Sequence, residues 1–69
     1  MKKKLPTPLY IDCSGLSSKR TQILSERMKE CFAKVEVWGD EIVASSPRGR
    51  LHYESAWRIL DQYGVKVTF

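Results

Sequence analysis

Two residues, Gly39-Asp40, constrain this chain more than any others, because the alternation on either side of them fits one pairing. A Gly-Asp pair between apolar alternations is a two-residue hairpin turn. A turn there sets Trp38 against Glu41, Val37 against Ile42, Glu36 against Val43 and Val35 against Ala44. That register gathers Val35, Val37, Ile42 and Ala44 on one face. A slip of one residue would turn the whole apolar set to the other side. Turn chemistry and hydrophobic pattern agree, so residues 35–44 read as a hairpin.

The rest of the chain supplies partners for it. Leu9–Cys13 alternates, with Leu9, Ile11 and Cys13 on one side and Tyr10 and Asp12 on the other. Ser14-Gly15 ends that strand, and Ser17 or Ser18 can accept an amide hydrogen bond at a helix start. The helix is expected to run to about Ala33, with Ile23, Leu24, Met28, Cys31 and Phe32 as its apolar stripe. Glu30 and Lys34 stand four apart, in the favourable order for an ion pair on a helix. Ser45–Arg50 reads as a polar loop. A second helix follows over Leu51–Tyr63, burying Tyr53, Ala56, Trp57 and Leu60, and Gly64 stops it. Val65–Phe69 alternates again, with Val65, Val67 and Phe69 inward. Met1–Pro8 reads as a flexible basic arm, since Pro6 and Pro8 lack amide donors.

The order β-α-β-β-α-β over residues 9–69 predicts a single α+β domain. Its obvious form is ferredoxin-like: a four-stranded sheet with two helices on one face. Strand order and oligomeric state stay open. A chain of 69 residues can bury one core but has little material left for a deep substrate cleft.

Charge narrows the function classes. The net charge is +4. All of the excess sits in residues 1–20, where Lys2, Lys3, Lys4, Lys19 and Arg20 face Asp12 alone, while residues 21–69 balance to zero. The body therefore lacks the long-range basic field that drives nucleic-acid binding. No apolar run approaches the roughly 20 residues of a membrane span, and no apolar segment follows Lys2–Lys4 as a secretory signal would require. Cys13 and Cys31 have no metal-type spacing and no second pair, which reads as reduced thiols in a cytoplasm. His52 is the sole histidine and has no ligand or dyad partner in sequence, so no metal or other cofactor is expected.

Three local patterns carry chemistry elsewhere. Cys13 at a strand end before a helix is similar to the thiolate loop of cysteine-dependent phosphatases, where helix amides and an arginine lower the thiol pKa. Here Arg20 comes one residue too late and Lys19 holds its place. The stretch is also similar to the phosphorylated cysteine loop of sugar phosphotransferase B components, but Gly15 lies two residues after Cys13 rather than three. Cys13 shares a face with Leu9 and Ile11, which points it at the core. Pro47-Arg48-Gly49-Arg50 resembles a minor-groove hook, but Leu51 follows where the hook continues with proline. The open sheet face would carry Tyr10, Asp12, Glu36, Trp38, Glu41, Val43, Ser45, Lys66 and Thr68. Tyr10 and Trp38 could stack on bases as in RNA-recognition modules. Three carboxylates against Lys66 alone would repel phosphate, whereas exposed aromatics on a polar sheet suit a protein interface.

Tyr10-Ile11-Asp12-Cys13-Ser14-Gly15-Leu16-Ser17, followed by a Gln-containing helix, resembles the opening of small uncharacterised proteins encoded by tailed bacteriophages. Ser46-Pro47-Arg48-Gly49-Arg50-Leu51-His52-Tyr53 is similar to a Ser-x-Gly-Arg-Leu-x-Tyr turn in them. The resemblance implies a phage or prophage origin and the host cytoplasm, and it implies no catalytic residues.

The expectation is a non-enzymatic accessory protein that binds and modulates another protein, with Tyr10, Trp38, Arg48 and Arg50 as contacts. The first alternative is a weak nucleic-acid binder using Lys2, Lys3, Lys4, Lys19 and Arg20 together with the Arg48/Arg50 loop. The second is a phosphoryl or thiol enzyme built on Cys13.

Overall fold

The hairpin forms in the register its turn dictates. The computed structural model describes residues 5–69 and contains β1 (Leu9–Asp12), α1 (Ser18–Cys31), β2 (Phe32–Trp38), β3 (Glu41–Pro47), α2 (Arg50–Tyr63) and β4 (Lys66–Thr68). Strands β2 and β3 pair Trp38 with Glu41, Val37 with Ile42, Glu36 with Val43 and Val35 with Ala44. Gly39 has φ 59° while Asp40 keeps a negative φ. This is the pattern of a hairpin turn with glycine in its first position, which a side chain would strain.

All strand pairs are antiparallel, and the sheet order is β2-β3-β1-β4. Each strand–helix–strand unit steps over one strand, so β3 fills the gap between β1 and β2, and β1 the gap between β3 and β4. This is the ferredoxin-like arrangement. One face carries Leu9, Ile11, Ile42 and Ala44, all buried beneath both helices. From the helices, Leu24, Met28, Cys31, Tyr53, Ala56 and Leu60 complete the core.

Helix α1 starts where the serines allow, with Ser17 Oγ accepting from the Arg20 amide at 3.2 Å. It ends earlier than periodicity predicts. Phe32 is already extended, at φ −126° and ψ 138°, and pairs with Pro47 in the sheet. The expected Glu30–Lys34 helix pair is therefore not formed, because Lys34 belongs to β2. The ion pair present on α1 joins Glu26 and Lys29 at 3.1 Å. The buried stripe also differs from expectation. It runs through Thr21, Leu24, Ser25, Met28 and Cys31, while Ile23 is exposed. With 3.6 residues per turn, positions 21, 24, 28 and 31 lie on one face and position 23 lies about 100° away from 24. Of the two polar members, Ser25 is satisfied within the helix, its Oγ donating to the Gln22 carbonyl at 2.7 Å.

Three other expectations change. Strand β3 extends through Ser45 and Ser46 to Pro47, so the loop into α2 is shorter than Ser45–Arg50. Val37 is 48% exposed and Phe69 is 69% exposed despite their inward parity. Both lie at sheet margins that the helices do not fully cover. Finally, the base of the expected arm lies against the body. Leu5 packs on the core and the Pro6 carbonyl accepts from the Tyr53 hydroxyl at 2.8 Å. Residues 1–4 lie outside the described residues.

Helix α2 ends as predicted: Gly64 adopts φ 65°, and its amide donates to the Asp61 carbonyl at 3.1 Å. Along its inner side runs an aromatic ladder of edge-to-face contacts, Phe32 to Tyr53 at 6.1 Å, Tyr53 to Trp57 at 6.3 Å and Trp57 to Phe69 at 6.1 Å.

Candidate functional site

The helix-free face of the sheet is built in cross-strand rows. One row reads Trp38, Glu41, Asp12, Lys66, and the next reads Glu36, Val43, Tyr10, Thr68. Directly opposed side chains lie about 5 Å apart and diagonal ones about 7–8 Å. Val43 is opposite Tyr10 and diagonal to Trp38, so these three form an apolar diagonal across β2, β3 and β1. Asp12, Glu36 and Glu41 edge it. Trp38 is 66% exposed and Tyr10 39%. The Trp38 ring N–H donates to Glu36 Oε1 at 3.3 Å, which holds the indole against its own strand.

Lys34, opposite Ser45, continues this face toward the far end of β2. Sequence reading missed it because the helix was expected to reach Ala33, which blurred the parity of the next residue. The face thus carries three carboxylates and two lysines, Lys34 and Lys66. Asp12 is held below the usual carboxylate range, first by the hydrogen bonds from Ser14 and then by the charge of Lys66. The Ser14 amide donates to Asp12 Oδ1 at 3.0 Å. Asp12 therefore stays ionised and keeps the rim negative.

The expected contact set does not converge. Tyr10 and Trp38 share the open face, with Trp38 beside the hairpin turn. Arg48 and Arg50 sit at the opposite end, where β3 passes into α2. Arg48 serves the fold there: its amide donates to the Cys31 carbonyl at 2.9 Å and its Nε to the Lys29 carbonyl at 3.2 Å. Helix α1 has no terminal glycine to wrap its last carbonyls, and Arg48 supplies donors and positive charge instead. Arg48→Ala is expected to lose about 0.5–1 kcal/mol in urea unfolding, the value of one exposed charge-assisted bond. Arg50→Ala, at a side chain that makes no hydrogen bond among the described residues, is expected to leave the unfolding curve unchanged.

The cations of the nucleic-acid alternative are also divided. Lys19 and Arg20 start α1, whereas Arg48 and Arg50 lie at its other end, about 20 Å away at 1.5 Å per residue. The Arg20 guanidinium lies 5.3 Å from the centre of the Tyr63 ring, which occupies it in a cation–π contact. Lys2, Lys3 and Lys4 lie outside the described residues.

Cys13 directly follows β1 and is buried, its amide donating to the Asp40 carbonyl at 2.7 Å. Burial pushes its thiol up, and the charges of Asp12 and Asp40 push it the same way. That is opposite to the lowered pKa that a thiolate nucleophile needs. His52 is exposed in the first turn of α2. Among the described residues no three His, Cys, Asp or Glu side chains converge as metal ligands would, and no helix is long and apolar enough to cross a membrane. A shallow groove of about 430 Å³ runs between α1 and the hairpin turn, bordered by Thr21, Ser25, Glu26, Lys29, Val37 and Asp40.

Comparison of the chain with protein-family models, curated proteins and solved structures finds no match.

Proposed function

We propose that this chain is a non-enzymatic binding module that engages and modulates another protein through the open face of its sheet. One observation carries the reading: a tryptophan two-thirds exposed on a helix-free face, with its ring N–H already held by Glu36. An indole fixed in this way loses little freedom on docking, and tryptophan is among the commonest interface anchors. Val43 and Tyr10 extend the apolar diagonal, and the carboxylate rim selects a partner with an apolar pocket edged by basic residues. On this reading the contacts are Tyr10, Val43 and Trp38, and the Arg48/Arg50 loop is not part of them. The resemblance to phage proteins makes a host protein the expected target. The separation of the cations, and the engagement of Arg20 and Arg48 within the fold, count against the nucleic-acid alternative. The buried Cys13 thiol counts against the enzyme.

The test is capture from nuclease-treated bacterial lysate at moderate salt, with wild type, Trp38→Ala and Tyr10→Ala in parallel. One protein held by the wild type after nuclease treatment is expected, with affinity lowered about 30-fold or more by Trp38→Ala, the range of an interface hot spot. Circular dichroism should be unchanged, since Trp38 contributes little to the core. Equal capture by Trp38→Ala would remove the open face as the site. Recovery of nucleic acid alone would shift the reading to Lys2, Lys3, Lys4 and Lys19.

A further inference from the structure

Strand β2 is an edge of the sheet, and over Lys34–Trp38, where it pairs continuously with β3, it has none of the proline or bulge devices that usually blunt such an edge. The two-residue turn decides which of its backbone groups are free. Residues flanking such a turn exchange both ladder bonds, so Trp38, Glu36 and Lys34 direct their amides and carbonyls toward β3. Val35 and Val37 direct theirs outward, whereas the alternation breaks at Ala33, where Pro47 has no amide to give and the Arg48 amide closes the ladder on the Cys31 carbonyl.

We infer that β2 pairs with β2 of a second copy of this chain, antiparallel and centred on Val35. In that register Val35 faces Val35 of the partner, Ala33 faces the partner's Val37, and Lys34 faces the partner's Glu36. The free donor and acceptor of Val35 then meet those of the partner's Val35 in a closely hydrogen-bonded pair. Lys34 and Glu36 fall in the alternate positions, where opposed side chains approach most closely. The two-fold axis generates this ion pair twice.

Charge selects both the partner and the register. Neither Lys34 nor Glu36 has an ion-pair partner among the described residues. A shift of two residues in either direction would set Lys34 against Lys34 or Glu36 against Glu36. The strand is therefore self-complementary in one register and self-repelling in its neighbours. Val37, on the inward side and 48% exposed, gains cover from the added strand. The product is a continuous eight-stranded sheet whose open faces point the same way, with Trp38 presented twice. The pairing is independent of the protein-partner reading, because purified chain alone suffices to test it.

Sedimentation equilibrium of the purified protein should show a monomer–dimer equilibrium below about 100 μM, with the dissociation constant raised at least about tenfold by Lys34→Glu or by Glu36→Lys. An equimolar mixture of the two variants should recover association, since the two carboxylates on β2 of one chain then face the two ammonium groups on β2 of the other. The double reversal in one chain should self-associate like wild type, and it reads the same contact should either single variant fail to fold. A wild type that stays monomeric, single reversals without effect, or a mixture that fails to associate would each overturn the proposal. Association carried by another surface would appear as the second of these.

Discussion

Phe32→Ala is expected to lose about 3–5 kcal/mol of stability, the range for removing a buried aromatic from a packed core. A domain of this length has about 3–10 kcal/mol in total, so the variant should be largely unfolded at physiological temperature. Phe32 carries this weight because three things meet at it. Its amide donates to the Met28 carbonyl and ends α1. Its backbone opens β2 opposite Pro47. Its ring, 1% exposed, stacks edge-to-face on Tyr53 and begins the aromatic ladder. Val37→Ala, five residues along the same strand, is expected to lose less than about 1 kcal/mol, because half of Val37 is already in water. Urea unfolding followed by circular dichroism and by tryptophan fluorescence checks both. A Phe32→Ala midpoint close to that of Val37→Ala would contradict the packing described.

Stability is also expected to fall on the alkaline side, with a limiting slope of about 1.4 kcal/mol per pH unit for each thiol whose pKa is raised in the fold. Cys13 and Cys31 are both free and buried. Burial is the first cause that pushes each thiol up, joined by Asp12 and Asp40 at Cys13 and by Glu30 at Cys31. Below the ordinary thiol pKa of about 8.5, both folded and unfolded chains hold these protons, and the contribution is fully present. Above it, the unfolded chain releases them first, binds fewer protons than the folded one, and stability falls until the folded pKa is passed. Cys13→Ala and Cys31→Ala should each flatten the alkaline slope, whatever they do to stability at pH 7. An unchanged slope would show that the thiols titrate alike in both states. The same burial predicts slow alkylation of the native protein near neutral pH and fast alkylation in urea. Fast labelling of native Cys13 would revive the enzyme reading.

How much was legible in the chain follows from which interactions are local. The hairpin was readable residue by residue, because a two-residue turn and a period of two leave one register. The element order, a serine start of α1 at Ser17 or Ser18 and the Gly64 stop of α2 were readable for the same reason: each depends on a few adjacent residues. So was the inward direction of Cys13, and so were Tyr10 and Trp38 on the outer face. The end of α1 was not, because no glycine marks it, and its last carbonyls are met by Arg48, 17 residues beyond Cys31. With that boundary misplaced, Lys34 dropped out of the outward set and Arg48 passed for a free contact.

The sequence by itself determined the hairpin, the faces of β1 and the element order, since side-chain period and turn chemistry act within a few residues. Only the tertiary structure decided the order β2-β3-β1-β4, and with it which strands became edges. That order decides why Val37 is half exposed while its partner Ile42 is fully buried, although both have the same parity in one hairpin. It also separates Arg48 and Arg50 from Trp38, and brings Val43 between Trp38 and Tyr10. Burial depends on what lies across and above a strand, and those neighbours arrive from distant parts of the chain.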